Sequence, residues 1–182
     1  MGSKLIAFEI SPFSKTRVIG KSVIVKLDNE GSDDPTIPDL WAEMKDDGSL
    51  DTLLDLPDRV REDPDTVGWM GEYSQEDQEF TYLAGVLVKH DADVPDGFAY
   101  RDIVDCEMAI SRIQETDDAE GGNIHGEASS HTAKARTENG YTYDGSMGGF
   151  EMEHTSYERC RLPEKRGEKI ELDFYSPSRK AD

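Results

Sequence analysis

Apolar and polar residues alternate most cleanly in Gly149-Phe150-Glu151-Met152-Glu153. In an extended strand this spacing sends Phe150 and Met152 to one face and Glu151 and Glu153 to the other. Two acids on a strand face ordinarily meet water, so the alternation alone assigns them no task. Around this segment the chain reads as a succession of short strands and helices. Residues 1–16 read as a lead-in strand or arm with Phe8 and Ile10 alternating, and residues 17–27 are rich in β-branched side chains and predict a strand that ends in the turn cluster Asp28-Asn29-Glu30-Gly31. Helix-start chemistry follows at Asp33-Asp34-Pro35-Thr36-Ile37-Pro38. Leu40, Trp41 and Met44 then stand at helical spacing until Gly48, and a second short turn over 49–56 carries Leu50, Leu53 and Leu54. Strands are predicted at 66–73 and 79–89, joined by the polar residues 74–78.

The second half repeats this order. A strand is predicted at 103–114, broken off at Gly121-Gly122-Asn123, then a helix from 124 to about 138. That helix has a small face of Ala128, Ala133 and Ala135 and stops at Asn139-Gly140. Strands near 149–155 and 169–175 follow, separated by a loop with Pro163 and Gly167. Strand-helix-strand-strand thus occurs twice, a repeat of pattern without residue identity between the halves. Two such units predict an α+β fold, an antiparallel sheet with helices on one face. It is expected to form one domain over 1–182, with units at about 17–90 and about 100–177. The seam between the units is the expected place for a concave pocket.

Charge changes the picture of partners. The chain carries 40 acidic against 20 basic residues, a formal net charge of -20, with only 35% hydrophobic residues among its 182. Phosphate backbones would be repelled, and neither a basic patch nor a helix-turn-helix pattern is present, so direct nucleic-acid binding is not expected. A negative field concentrates cations, which favours cationic over anionic ligands. Cys106 and Cys160 lack metal-ligand spacing, and His125, His131 and His154 lack the spacings that put ligands on one helix face; no metal and no cofactor are expected. Ser129-Ser130-His131 is no nucleophile elbow, and the glycine pairs show no phosphate-loop order. The N-terminus has no signal-peptide pattern and no apolar run spans a bilayer, so a cytoplasmic address without membrane contact is the expectation.

Several pieces in order carry a family resemblance: Val18-Ile19-Gly20, Trp41, Val67-Gly68-Trp69, Phe80-Thr81-Tyr82-Leu83-Ala84-Gly85-Val86, Pro95-Asp96-Gly97-Phe98, Phe150-Glu151, and Leu172-Asp173-Phe174-Tyr175-Ser176-Pro177. Across about residues 8–177 the chain resembles the GyrI-like small-molecule-binding proteins, relatives of the effector-binding domains of AraC-type and MerR-type regulators. The resemblance implies two β-α-β-β units about a pseudo-twofold, with an aromatic-lined pocket at their junction that holds one acid, here Glu151. It also implies a stand-alone member that senses or sequesters xenobiotics. Glu153 departs from the family pattern, because it stands where a Tyr is common, and this would make the site more anionic.

These residues give a candidate site. Glu151 would anchor a small aromatic ligand, cationic ones included, since a carboxylate among rings attracts a cation more strongly than in water. Trp69, Tyr73 and Tyr82 are candidate walls, because flat rings stack on planar ligands and favour cations over their faces. Trp69 and Tyr73 share a face in a regular strand. The alternative implied by the resemblance is a hydrolase that opens strained cyclopropane-type electrophiles, with Glu151 as general base and Tyr82 as phenolic acid. Trp41, at helical spacing with Leu40 and Met44, is expected in the core, and His125, near the start of the second helix, on the surface with the border of the pocket as the alternative.

Overall fold

The structure, a computed structural model, describes residues 2–27, 34–60, 65–116, 124–156 and 170–182. The turn expected at 28–31, the break at Gly121-Gly122-Asn123, the loop with Pro163 and Gly167, and Cys160 lie outside the described residues. In chain order the elements are β1 (Ser3–Phe13), β2 (Thr16–Lys26), α1 (Ile37–Asp46), α2 (Ser49–Leu54), β3 (Asp65–Ser74), β4 (Glu79–Lys89), β5 (Ala99–Ile103), β6 (Cys106–Glu115), α3 (Ile124–Glu138), β7 (Tyr141–Tyr143), β8 (Phe150–Ser156) and β9 (Glu171–Lys180). The fold is α+β, and among the described residues the strands form a nine-stranded sheet in the order β1-β6-β9-β8-β3-β4-β2-β5, with β7 added beside β9. Every pairing is antiparallel.

This order makes the repeat physical. β2, α1/α2, β3 and β4 form one unit; β6, α3, β8 and β9 form the other; β3 and β8 meet at the seam. The strand expected at 103–114 is β6, and before it the chain forms a further strand, β5, which it leaves at Val104-Asp105. That break has a purpose in the topology. β5 pairs with β2 of the first unit, and β1 pairs with β6 of the second. Each unit therefore receives an edge strand from the segment that leads into the other unit. Arg17 and Asp102, register partners in β2 and β5, reinforce the exchange with a two-pronged contact at 2.7 and 3.1 Å.

Local chemistry fixes the helices. Thr36 caps α1: its hydroxyl accepts from the Asp39 N–H while the Asp39 carboxylate accepts from the Thr36 N–H, and Pro38 occupies the first turn. Gly48, with φ +78°, makes the left-handed turn between α1 and α2. α1 and α2 pack on β2 and β4, whereas α3 packs on β1, β6, β7 and β9. Both layers cover the same face. Leu40, Met44, Leu50 and Leu53 bury against Ile19, Ala84 and Val86, while Ile124 and Ala128 bury against Ile113, Leu172 and Phe174. Met70 of β3 touches both clusters. A third cluster, which includes Val67, Trp69, Leu83, Met108, Phe150 and Met152, forms on the opposite face. The seam strands β3 and β8 thus run between the strands that the two helical layers cover, with Met70 on their helix-facing side.

Candidate functional site

Register decides what lies on the helix-facing side of the seam. Met70 pairs with Tyr82 on one side and Glu151 on the other; Gly68 pairs with Ala84 and Glu153. Directly paired residues share a face, so Tyr82, Met70, Glu151 and Glu153 all face the helices. The alternation expected for β8 holds: Phe150 and Met152 belong to the opposite cluster.

Glu151 sits in a partly buried hydrogen-bond chain. Ser129 of α3 lies 3.0 and 3.3 Å from its two oxygens, and the Ser176 hydroxyl of β9 donates to Oε1 at 3.1 Å. Ser176 in turn accepts from Arg136 Nη1 at 2.6 Å. Arg136 is buried, its guanidinium lies 5.3 Å from the Tyr143 ring centroid, and its Nε has no hydrogen-bond partner among the described residues. Burial pushes the Glu151 carboxyl above its ordinary range, opposed by the two serine hydroxyls and by the charge of Arg136. Burial likewise lowers Arg136, opposed by Glu151. Two phenols complete the surroundings. Tyr73 is pushed up to about 12 and Tyr143 is also raised, each chiefly by burial and then by the negative field of Glu151. The Tyr143 hydroxyl donates to the Phe150 carbonyl at 3.2 Å, which fixes its ring beside the start of β8.

Glu153 has its own set of partners. The Tyr82 hydroxyl donates to Oε1 at 2.7 Å and accepts from Trp41 Nε1 of α1 at 3.2 Å. His125 Nδ1, from the first turn of α3, lies 2.5 Å from Oε2, and this contact raises the imidazole pKa. Trp41, Tyr82, Glu153 and His125 therefore form a polar chain across the seam from α1 to α3.

The four candidate residues are placed differently. Glu151 and Tyr73 both lie on the helix side, where Tyr73 is half exposed at 51% and feels the negative field of Glu151, and Tyr82 lies on the same face but is buried and bonded to Glu153 instead of Glu151. Trp69 is on the opposite face, stacked on Phe150 with ring centroids 6.2 Å apart and with the Arg101 guanidinium 5.5 Å from its own ring centroid. The expectation that Trp69 and Tyr73 share a face is corrected by an irregularity in β3. Pairing with β4 shifts register between Gly71 and Ser74, and Glu72 has φ +57°. One left-handed residue breaks the two-residue period, so Tyr73 turns to the helix side, where its ring lies 5.5 Å from Phe80.

Sequence reasoning missed the polar stripe of α3. His125, Ser129, Thr132 and Arg136 are spaced four, three and four apart, one face of a helix. His125 reaches Glu153, Ser129 reaches Glu151 and Arg136 reaches Ser176. The small alanines masked a periodicity that was present. Trp41 is likewise part of the polar chain and not only of the core, and Cys106 is half-buried with its thiol pushed up to about 11, chiefly by burial. Among the described residues no group of His, Cys, Asp and Glu could hold a metal, and no helix is long and apolar enough to cross a membrane.

Solved structures with the same fold have little sequence in common with this chain. SAV2435 bound to tetraphenylphosphonium aligns with a TM-score of 0.63 at 9% identity, covering 96% of this chain and 94% of that one. An integron cassette protein from the mobile metagenome of Vibrio cholerae gives 0.56 at 11% identity, covering 98% and 100%. The C-terminal domain of EcmrR gives 0.57 at 9% identity, covering 96% and 98%. No curated protein matches the sequence. Residues 7–124 match the model described as the GyrI-like small molecule binding domain. That match takes in the whole first unit and runs to the start of α3, and with it the chain belongs to the GyrI-like small-molecule-binding family.

Proposed function

We propose that the chain binds a small aromatic cation in the groove between its helical layers, with Glu151 as the charged anchor and Tyr73 and Tyr143 as aromatic surroundings. The observation that carries this reading is the desolvated Glu151 carboxyl, held on the helix-facing side of the seam by neutral hydroxyls, with a negative field that reaches two phenols. A cationic group would restore to this carboxylate what burial takes away, at a local dielectric where the attraction exceeds that in water. Aromatic faces add to the attraction for a cation. A neighbour of the same fold holds tetraphenylphosphonium, a cation carrying four aryl groups, which supports this ligand class. Sensing or sequestration of xenobiotics is the use that fits such a site. The hydrolytic alternative has weaker support, because the Tyr82 proton that it needs as an acid is directed to Glu153.

The test is a calorimetric titration with tetraphenylphosphonium on wild type and Glu151→Gln. Saturable binding that weakens roughly tenfold or more on the substitution, at least 1.4 kcal/mol, supports the reading. Equal affinity of the two proteins, or no binding to wild type, overturns it.

A further inference from the structure

The polar chain from Trp41 to His125 has a feature that a single anchor does not require. Glu153 is buried, two residues from Glu151 on the same face of β8, so the two Cα atoms are about 7 Å apart. Its carboxylate accepts from Tyr82 at one oxygen and meets His125 at the other, and an ionised carboxylate has about four acceptor positions. Tyr82 is buried and fixed, whereas the His125 side chain is about half exposed, at 49%. The movable partner of Glu153 is therefore the histidine, and when protonated it is itself an aromatic cation seated on a carboxylate.

We propose that Glu153 is a second cation anchor in the same groove, occupied by the protein's own His125, so that the site prefers dicationic aromatic ligands and does so increasingly as pH rises. This rests on the reading of Glu151 as the first anchor. Below the pKa of His125 the imidazolium neutralises Glu153, and a ligand gains nothing from a second charge. Above it the imidazole is neutral, Glu153 has no cationic partner, and a second cationic group of the ligand takes that position. The contact with Glu153 places the change above the ordinary histidine value. The other groups around α3 are accounted for. Tyr82 of β4 touches Glu153 from behind, Glu151 lies two residues along β8, and Arg136 acts on Glu151 through Ser176. At the β1 side Glu127 is engaged by Ser3 and the Gly2 N–H, His131 lies against Ser3, and Glu115 of β6 is the register partner of Ser3.

The experiment compares benzamidine, a monocation, with benzene-1,4-dicarboxamidine, its dicationic counterpart, at about pH 5 and about pH 9, on either side of the ordinary histidine range. Taking the ratio of the two affinities cancels the protonation of Glu151, which weakens both ligands alike. In wild type the dication is expected to bind roughly tenfold tighter at the higher pH and nearly equally at the lower. His125→Gln should keep the preference at both pH values, and Glu153→Gln should remove it at both while still binding benzamidine. Should Glu153→Gln fail to fold, loss of the pH dependence in His125→Gln decides alone. A wild-type preference that ignores pH, or one that survives Glu153→Gln, overturns the proposal. Benzamidine binding without any preference for the dication also overturns it and leaves the Glu151 reading standing. No benzamidine binding to wild type at either pH overturns both.

Discussion

Tyr82 on β4 and Glu153 on β8 are joined by a 2.7 Å hydrogen bond although β3 lies between their strands. The phenol can cross because β3 presents Gly68 at that point. A Cβ there would stand 2.0 Å from the Tyr82 hydroxyl oxygen and 2.5 Å from the ring carbon that bears it. The missing side chain is thus what lets the two units share a buried polar contact.

Gly68→Ala should therefore displace the Tyr82 ring and destabilise the fold by about 1–3 kcal/mol, the usual range for overfilling a packed position. Tyr82→Phe alone should cost about 1.5–3 kcal/mol, as expected for a hydrogen bond to a charged group. Because the first change already disrupts the bond that the second removes, the double variant should lose less than the sum. Urea denaturation of the four proteins checks this. Full additivity would mean that the phenol does not depend on Gly68.

Glu151 gives a prediction for stability against pH. Its folded-state pKa is raised by burial. A carboxyl of this kind contributes stability that is complete below its unfolded pKa and is lost as pH rises through the folded value. Glu151→Gln lacks this loss. The variant should melt at a higher temperature than wild type near neutral pH, and the gap should narrow as pH falls toward the ordinary glutamate range of about 4. A gap that widens in acid would mean that the folded protein stabilises the ionised carboxylate.

Arg136 acts on Glu151 at one remove, through Ser176, and its charge holds the Glu151 pKa down. Arg136→Met should raise the Glu151 pKa further, read by carboxyl carbon NMR during a pH titration. It should also cost about 1–3 kcal/mol, since Ser176 loses a charged donor. An unchanged Glu151 titration would show that the guanidinium is only packing against Tyr143.

Which of these relationships were legible in the sequence follows from their range. The alternation of Phe150, Glu151, Met152 and Glu153 is local, and the strand order of each unit follows from short periodic segments, so both were readable. The exchange of β1 and β5 between units was not, because no local pattern states which distant strand an edge will join. Nor was the placement of Tyr73, which depends on the backbone angle of Glu72, a residue type that gives no turn signal. The stripe from His125 to Arg136 was present in the spacing, but its meaning needed the partners on β8 and β9.

The opposite faces of the two tryptophans give a direct optical test of where a ligand sits. The chain has only Trp41 and Trp69. Trp41 donates to the Tyr82 hydroxyl on the helix side, whereas Trp69 is buried against Phe150 on the other face of the sheet. A planar cation entering the groove beside Glu151 can stack near Trp41 but is separated from Trp69 by the sheet itself. Ligand quenching of indole fluorescence should therefore be retained in Trp69→Phe and largely lost in Trp41→Phe, with affinity in both checked by calorimetry. Trp69→Phe should shift affinity by less than about 0.5 kcal/mol, as for a site away from the ligand. Quenching that follows Trp69 instead would place the ligand on the opposite face of the sheet, near the small depression lined by Arg59, Asp65, Val67, Leu87 and His154, and would remove Glu151 from the site.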